Sequence, residues 1–189
     1  MKNSKNKKNP YSEMTTKELK VLAEKGDAEA QFKLGNQYKH GKGIRKNFRK
    51  AVEWLTKAAE QRHSGAQNNL GTCYYCGKGV KKDLVKAIEW YMKAAEQGES
   101  IAQTNLGACY YDGTGVEQNY NKALEWHLKA AEQGNSCSQN DIGIYYLNGY
   151  GVEKDPKKAI EWLSLSAKQG FSTAQYNLAI CFKNGDGVE

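Results

Sequence analysis

The chain is poor in proline, with two residues in 189, and poor in histidine, with three. It has no long apolar run. Nothing approaches the roughly 18 consecutive apolar residues that a membrane-crossing helix needs, and the mean hydropathy is −0.81. The first ten residues, MKNSKNKKNP, open with basic charge, but no apolar segment follows. No secretory signal and no membrane span are therefore read, and a cytoplasmic location is expected. Even pairing of cysteine is missing too. Cys73, Cys76, Cys109, Cys137 and Cys181 make an odd count, which a disulfide framework does not use. A reducing compartment follows as the natural expectation. The net charge of +7 owes four of its charges to Lys2, Lys5, Lys7 and Lys8, leaving +3 for the rest, so the excess is a tail and not a basic face.

Glycine, by contrast, is plentiful at 19 residues, and its positions repeat. Gln31, Gln67, Gln103, Gln139 and Gln175 stand 36 residues apart, as do Trp54, Trp90, Trp126 and Trp162. Self-similarity at a fixed period of this length is the signature of a repeat architecture. Full units begin at residues 30, 66, 102 and 138, and a partial unit covers 174–189. Residues 16–29 look like the second half of an earlier unit. Residues 1–15 are expected to be a basic, disordered tail, and 16–189 a repeat domain.

Each unit reads as two helices. Ala66, Leu70 and Tyr74 recur at i, i+4 and i+8, one stripe of a helix of 3.6-residue period. Gly35, Gly71, Gly107 and Gly143 lie beside that stripe, where glycine costs about 1 kcal/mol relative to alanine. Their recurrence predicts a neighbouring helix too close to admit a Cβ. The first helix then ends in Gly-x-Gly, as at Gly77 and Gly79, where glycine takes a positive φ without penalty. This loop is not a phosphate cradle. It lacks Gly-Lys-Ser/Thr and a preceding strand, and it occurs five times in the same context. The second helix starts after Asn47, Asp83, Asn119 or Asp155, all good N-caps, and Pro156 marks one of these starts. Ala87, Trp90, Tyr91 and Ala94 give it an amphipathic face. One helix pair cannot bury both faces, so neighbours must stack. Cys73, Cys109 and Cys181 share one repeat position and read as packing residues. The four Trp read as core.

The pattern Ala-Gln-x-x-Leu-Gly-x-x-Tyr, then Gly-x-Gly-Val, Lys-Ala-Ile/Leu-Glu-Trp and Ala-Ala-Glu-Gln-Gly resembles the Sel1-like repeat family over residues 16–189. These are longer relatives of tetratricopeptide repeats. The resemblance implies an all-α, right-handed α/α superhelical solenoid of 36-residue helix-turn-helix repeats. It also implies a protein-protein interaction scaffold, not an enzyme. Some cysteine-rich relatives brace each helix pair with a disulfide and are described as β-lactamases. The regular cysteine pairing is missing here. The one Ser-x-x-Lys, Ser4 to Lys7, has no partner motif, so a hydrolase is the least favoured reading.

A helical wheel centres the first helix's core on Ala30, Leu34 and Tyr38. Lys33, Asn36 and His40 then point away from it, toward the groove of such an array. Their repeat copies are Asn69, Thr72 and Cys76, then Asn105, Ala108 and Asp112, then Asp141, Ile144 and Asn148, then Asn177, Ile180 and Asn184. The ladder Lys33, Asn69, Asn105, Asp141 and Asn177 offers amides that both donate and accept, suited to an extended peptide. The alternative is that these residues solvate the helix or bond between repeats. Ala108, Ile144 and Ile180 add apolar surface to the groove.

A protein or peptide partner is therefore expected, with no cofactor and no metal. His40, His63 and His127 fall in unrelated registers, and His127 stands where other units carry Leu55, Tyr91 and Leu163, as a packed ring would. Cys73-x-x-Cys76 lies on a helix, outside any βαβ setting. Nucleic acid or an acidic surface bound by the lysine tail is the second reading. Helix 174–184, with no second helix over it, is expected to fray or to pair with another chain.

Overall fold

The computed structural model describes residues 10–11 and 14–187. The four tail lysines lie outside the described residues, so the expectation of a disordered tail is not addressed. Ten α-helices and no strand are found among the described residues, as the all-α reading requires. The chain divides into two compact units, Met1–Asp83 and Leu84–Glu189. The first holds α1 (Thr16–Glu24), α2 (Ala28–His40), α3 (Phe48–Glu60) and α4 (Ser64–Cys76). The second holds α5 (Leu84–Glu96), α6 (Ser100–Asp112), α7 (Tyr120–Glu132), α8 (Ser136–Asn148), α9 (Pro156–Lys168) and α10 (Ser172–Asn184). Within each unit the main packing runs between consecutive helices. Helices α2, α4, α6, α8 and α10 are the first helices of their repeats, and each starts two residues before the expected unit boundary.

The ends of the helices are written into the sequence. Thr15 and Glu18 form a reciprocal capping box at α1. Asn47, Asn119 and Asp155 accept hydrogen bonds from the first turn of α3, α7 and α9, satisfying amides that a helix start leaves open. The Asn47, Asn119 and Asp155 amides in turn donate to the Tyr38, Tyr110 and Tyr146 carbonyls near the ends of the first helices. The tight loop between the two helices is closed this way. Gly77 and Gly113 end α4 and α6 with φ of 68° and 69°. Gly79, at φ 80°, does more. A Cβ there would meet the Phe48 carbonyl at the start of α3. The second glycine of the loop is thus a docking point for the preceding second helix.

The aliphatic part of the predicted core is observed. Ala30, Leu34, Ala66, Leu70, Ala102, Leu106 and Ile142 are all sealed from solvent, and each buried Leu or Ile contributes about 1.5–3 kcal/mol. The close-approach glycines behave as expected where their neighbours are described. A Cβ at Gly35 would lie 2.9 Å from Leu55 Cγ, at Gly107 2.7 Å from His127 Nε2, and at Gly143 2.6 Å from Leu163 Cγ. One correction concerns tryptophan. The four indoles are half-buried, not core. Lys57, Lys93 and Lys129 lie over the Trp54, Trp90 and Trp126 rings at 4.3, 4.2 and 4.0 Å. The ring covers the helix flank and the cation covers the ring.

The recurring glutamine explains itself in three dimensions. Gln31, Gln67, Gln103 and Gln139 are buried, and each donates to a carbonyl of the preceding helix: Ala23, Ala59, Ala95 and Ala131. Gln61, Gln133 and Gln169 then donate to the Gln31, Gln103 and Gln139 side-chain oxygens at 2.8, 2.8 and 2.7 Å. A buried amide needs partners for both ends, and this relay supplies them.

Candidate functional site

The candidate residues lie on the first helices of the repeats. In the first unit Lys33, Asn36, His40 and Asn69 line a cleft of about 600 Å³, together with Tyr11, Gln37, Lys39 and Lys42. His40 and Thr72 also border a smaller hollow of about 150 Å³, with Lys39, Lys46, Cys73 and Lys78. The wall is cationic. Lys33 is tied to Glu29 at 3.2 Å. Burial raises the Glu29 carboxyl, but hydrogen bonds from His63 and Lys33 outweigh it and hold the group below its ordinary pKa. Lys39 is pushed below the ordinary lysine value by burial, and its ammonium donates to Asn69 Oδ1 at 3.1 Å.

In the second unit Ala108, Asp112, Asp141 and Ile144 come together around a cavity of about 310 Å³, joined by Tyr111, His127 and Tyr145. Helices α6 and α8 form its sides, and His127 reaches it from α7. His127 is 1 % exposed, as its core position predicts, and burial pushes its pKa down while Asp141 opposes. Its Nδ1 lies 3.2 Å from Ser138 Oγ and 3.7 Å from Asp141 Oδ2. Asp141 also accepts from Asn140 Nδ2 at 3.1 Å. Tyr111, Tyr120, Tyr145 and Tyr150 form an aromatic cluster beside the cavity, with ring centres 5.0–6.3 Å apart.

Part of the ladder is used inside the protein. Asn69 donates to Asn36 Oδ1 at 2.8 Å while accepting from Lys39. Asn177 donates to Asn140 Oδ1 at 2.9 Å. These two amides bond between repeats, the alternative weighed from the sequence. Asn148 is exposed and donates to the Ile144 carbonyl. Asn105 and Ile180 are half-buried on α6 and α10 and do not line the cavity.

Two participants escaped the sequence. Among the described residues, the buried side-chain atoms without a hydrogen-bond partner are Gln37 Oε1 and the Tyr145 hydroxyl. They occupy the same repeat position, where other units carry Cys73, Cys109 and Cys181. A polar or oversized residue at a cysteine position was the available signal. Both atoms belong to residues lining the cavities just described.

Paired helices, glycine-ended turns and a unit of 36 residues define an all-α repeat fold of the solenoid class. The Sel1 repeat model matches residues 28–63, 64–99, 100–135, 138–171 and 172–189, and the chain belongs to the Sel1 repeat family. It is similar to a Sel1 repeat protein from Oxalobacter formigenes, with 40% identity and a TM-score of 0.83 over 87% of this chain and 65% of that one. It is also similar to a protective antigen of uropathogenic Escherichia coli displaying an SLR fold. There the identity is 39% and the TM-score 0.89, over 93% of this chain and 38% of that one. Helicobacter pylori cysteine rich protein B is 29% identical with a TM-score of 0.53, over 67% of this chain and 96% of its own. A putative sel1-like repeat-containing protein of Acanthamoeba polyphaga mimivirus is 44% identical over 43 residues, which are 23% of this chain and 7% of that protein. The chain thus spans less than two thirds of the first two structures and a small part of the viral protein. Sel1 repeats are generally protein-interaction scaffolds. Among the described residues no helix is long and apolar enough to cross a membrane.

Proposed function

We propose that the chain is a scaffold that holds a partner protein or peptide in the groove lined by the first helices of its repeats. One observation carries this reading. In both units the cavity walls combine buried residues such as Leu19, His127 and Tyr145 with charged and polar residues that lie outside the core. The shared repeat positions Ala30, Leu34, Ala66, Leu70, Ala102 and Leu106 are 0–1 % exposed, whereas His40, Lys42 and Asp112 are exposed. Exposed residues set on a rigid frame are where recognition is placed. No reaction is assigned to the chain in this reading. All five cysteines are free thiols, and burial pushes Cys109 and Cys137 up to about 11, so these two stay protonated and unreactive at neutral pH.

The test is affinity capture with three baits: the full chain, the chain lacking residues 1–10, and a groove variant carrying His40→Ala, Asp112→Ala and Ile144→Ala. A partner kept by the first two and lost by the folded third supports the scaffold. A partner lost only with residues 1–10 transfers recognition to the lysine tail and sinks this reading.

A further inference from the structure

The cavity between α6 and α8 has an unfilled electrostatic role. The first unit supplies a cation of its own at the equivalent place, where Lys39 donates to Asn69. In the second unit the position of Asn69 is taken by Asp141, and that of Lys39 by Tyr111. The acceptor has gained a full charge and the resident cation has gone. Asp141 touches Asn140, Cys137 and His127 instead. Asn140 and Cys137 carry no charge, and burial favours the neutral form of His127. Asp112 adds a second carboxylate to the same wall. Tyr145 is 2 % exposed, lines the cavity, and its hydroxyl has no hydrogen-bond partner. A buried hydroxyl left unpaired is a standing penalty unless something else completes it.

An anion is repelled by the two carboxylates, and an apolar group would leave the hydroxyl unsatisfied. A guanidinium meets every feature of the wall. It stacks on tyrosine rings and is always charged. Its fork of five N–H donors suits carboxylates and a phenolic oxygen together. Its methylene stem matches the apolar Ala108 and Ile144. A volume of about 310 Å³ is at the lower limit of small-ligand sites and suits one long side chain.

We infer that this cavity is a socket for an arginine side chain, and that the partner segment docking on α6 and α8 inserts one there. The inference rests on the scaffold reading and names the chemistry of its partner. The probe is the capped peptide acetyl-Gly-Arg-Gly-amide, titrated into the isotope-labelled full chain and followed by NMR. Its citrulline counterpart and free arginine serve as comparisons. The expected result is shifts centred on Asp112, Asp141 and Tyr145, with the arginine peptide binding roughly tenfold tighter than the citrulline one. Asp141→Asn should remove most of that preference, and Tyr145→Phe should weaken binding severalfold. Cooperative melting at or above the temperature of the unaltered chain certifies that both variants are folded. Equal binding of arginine and citrulline peptides, shifts centred instead on Lys33 to His40, or no shift at high-millimolar peptide would each overturn the socket. Free arginine binding more tightly than the capped peptide would overturn its assignment to a partner protein. A partner captured through the groove alongside a failed peptide titration leaves the scaffold standing and removes only the socket.

Discussion

The two units carry the same repeat but opposite surfaces. At one repeat position the first unit has Lys33 and the second has Asp141; at another, His40 faces Asp112 in the comparison. Buried positions differ far less, with Leu34 in one unit matched by Leu106 and Ile142 in the other. The difference teaches which residues hold the fold and which are free to specify a partner. Packing tolerates little change in volume, so the core repeats. An exposed charge costs the fold almost nothing, so the surface diverges.

The largest expected effect breaks what the units share. Gly79→Ala in the first and Gly151→Ala in the second each force a Cβ into a helix start at positive φ. Each should cost about 3 kcal/mol or more, measured by chemical denaturation. A loss in only one unit would show that the loop contact is not common to both. Next comes Gln103→Ala, which strands the Ala95 carbonyl and the Gln133 amide. A loss of about 2 kcal/mol is expected, and a neutral result would remove the relay from the list of stabilising features.

Smaller changes sharpen the contrast. Tyr145→Phe deletes a buried hydroxyl with no partner and should raise stability by about 1 kcal/mol, seen as a higher melting temperature; a lower one would mean the hydroxyl is already satisfied. His127 adds a pH dependence that belongs to the second unit. Its folded pKa lies below the unfolded value of about 6.5, so unfolding takes up a proton. Stability is therefore full above that value and falls as pH drops through the window beneath it. His127→Leu, the residue at this position in Leu55 and Leu163, should flatten that part of the pH profile. The smallest effect is at Arg62, a non-glycine at φ 65° where other units have Gly98, Gly134 and Gly170. Arg62→Gly should stabilise by about 0.5 kcal/mol, the relief of left-handed strain less the entropy of glycine.

Period and punctuation made most of the fold legible. The Asn and Asp caps, the Gly-x-Gly turns and the Ala-Leu stripes each have a local cause, so one sequence suffices to place them. The tryptophans misled because their recurrence at a fixed period suggested core, while the lysine three residues later, which covers the ring, went unread. The candidate groove was legible as a set of directions on a helical wheel. What a wheel cannot give is which directions converge. Ala108, Asp112, Asp141 and Ile144 meet, but Asn69 and Asn177 are spent on bonds between repeats. Tyr145 was hidden because its neighbours in the repeat are cysteines, and its meaning lies in a missing partner that no sequence displays.

The glutamine relay has a consequence for how such proteins grow. In Gln31 to Ala23, Gln67 to Ala59, Gln103 to Ala95 and Gln139 to Ala131, every donor belongs to the later repeat and every acceptor to the earlier one. The joint between units is directional, like the bond in a polymer whose head accepts only a tail. A duplication or excision of 36 residues rejoins a matching head and tail, whereas a gain or loss of a few residues leaves a buried amide facing nothing. Genetic change is thereby steered toward whole-unit steps. Lineages can vary the count of units readily, while the length of each unit is locked by the chemistry of its seam.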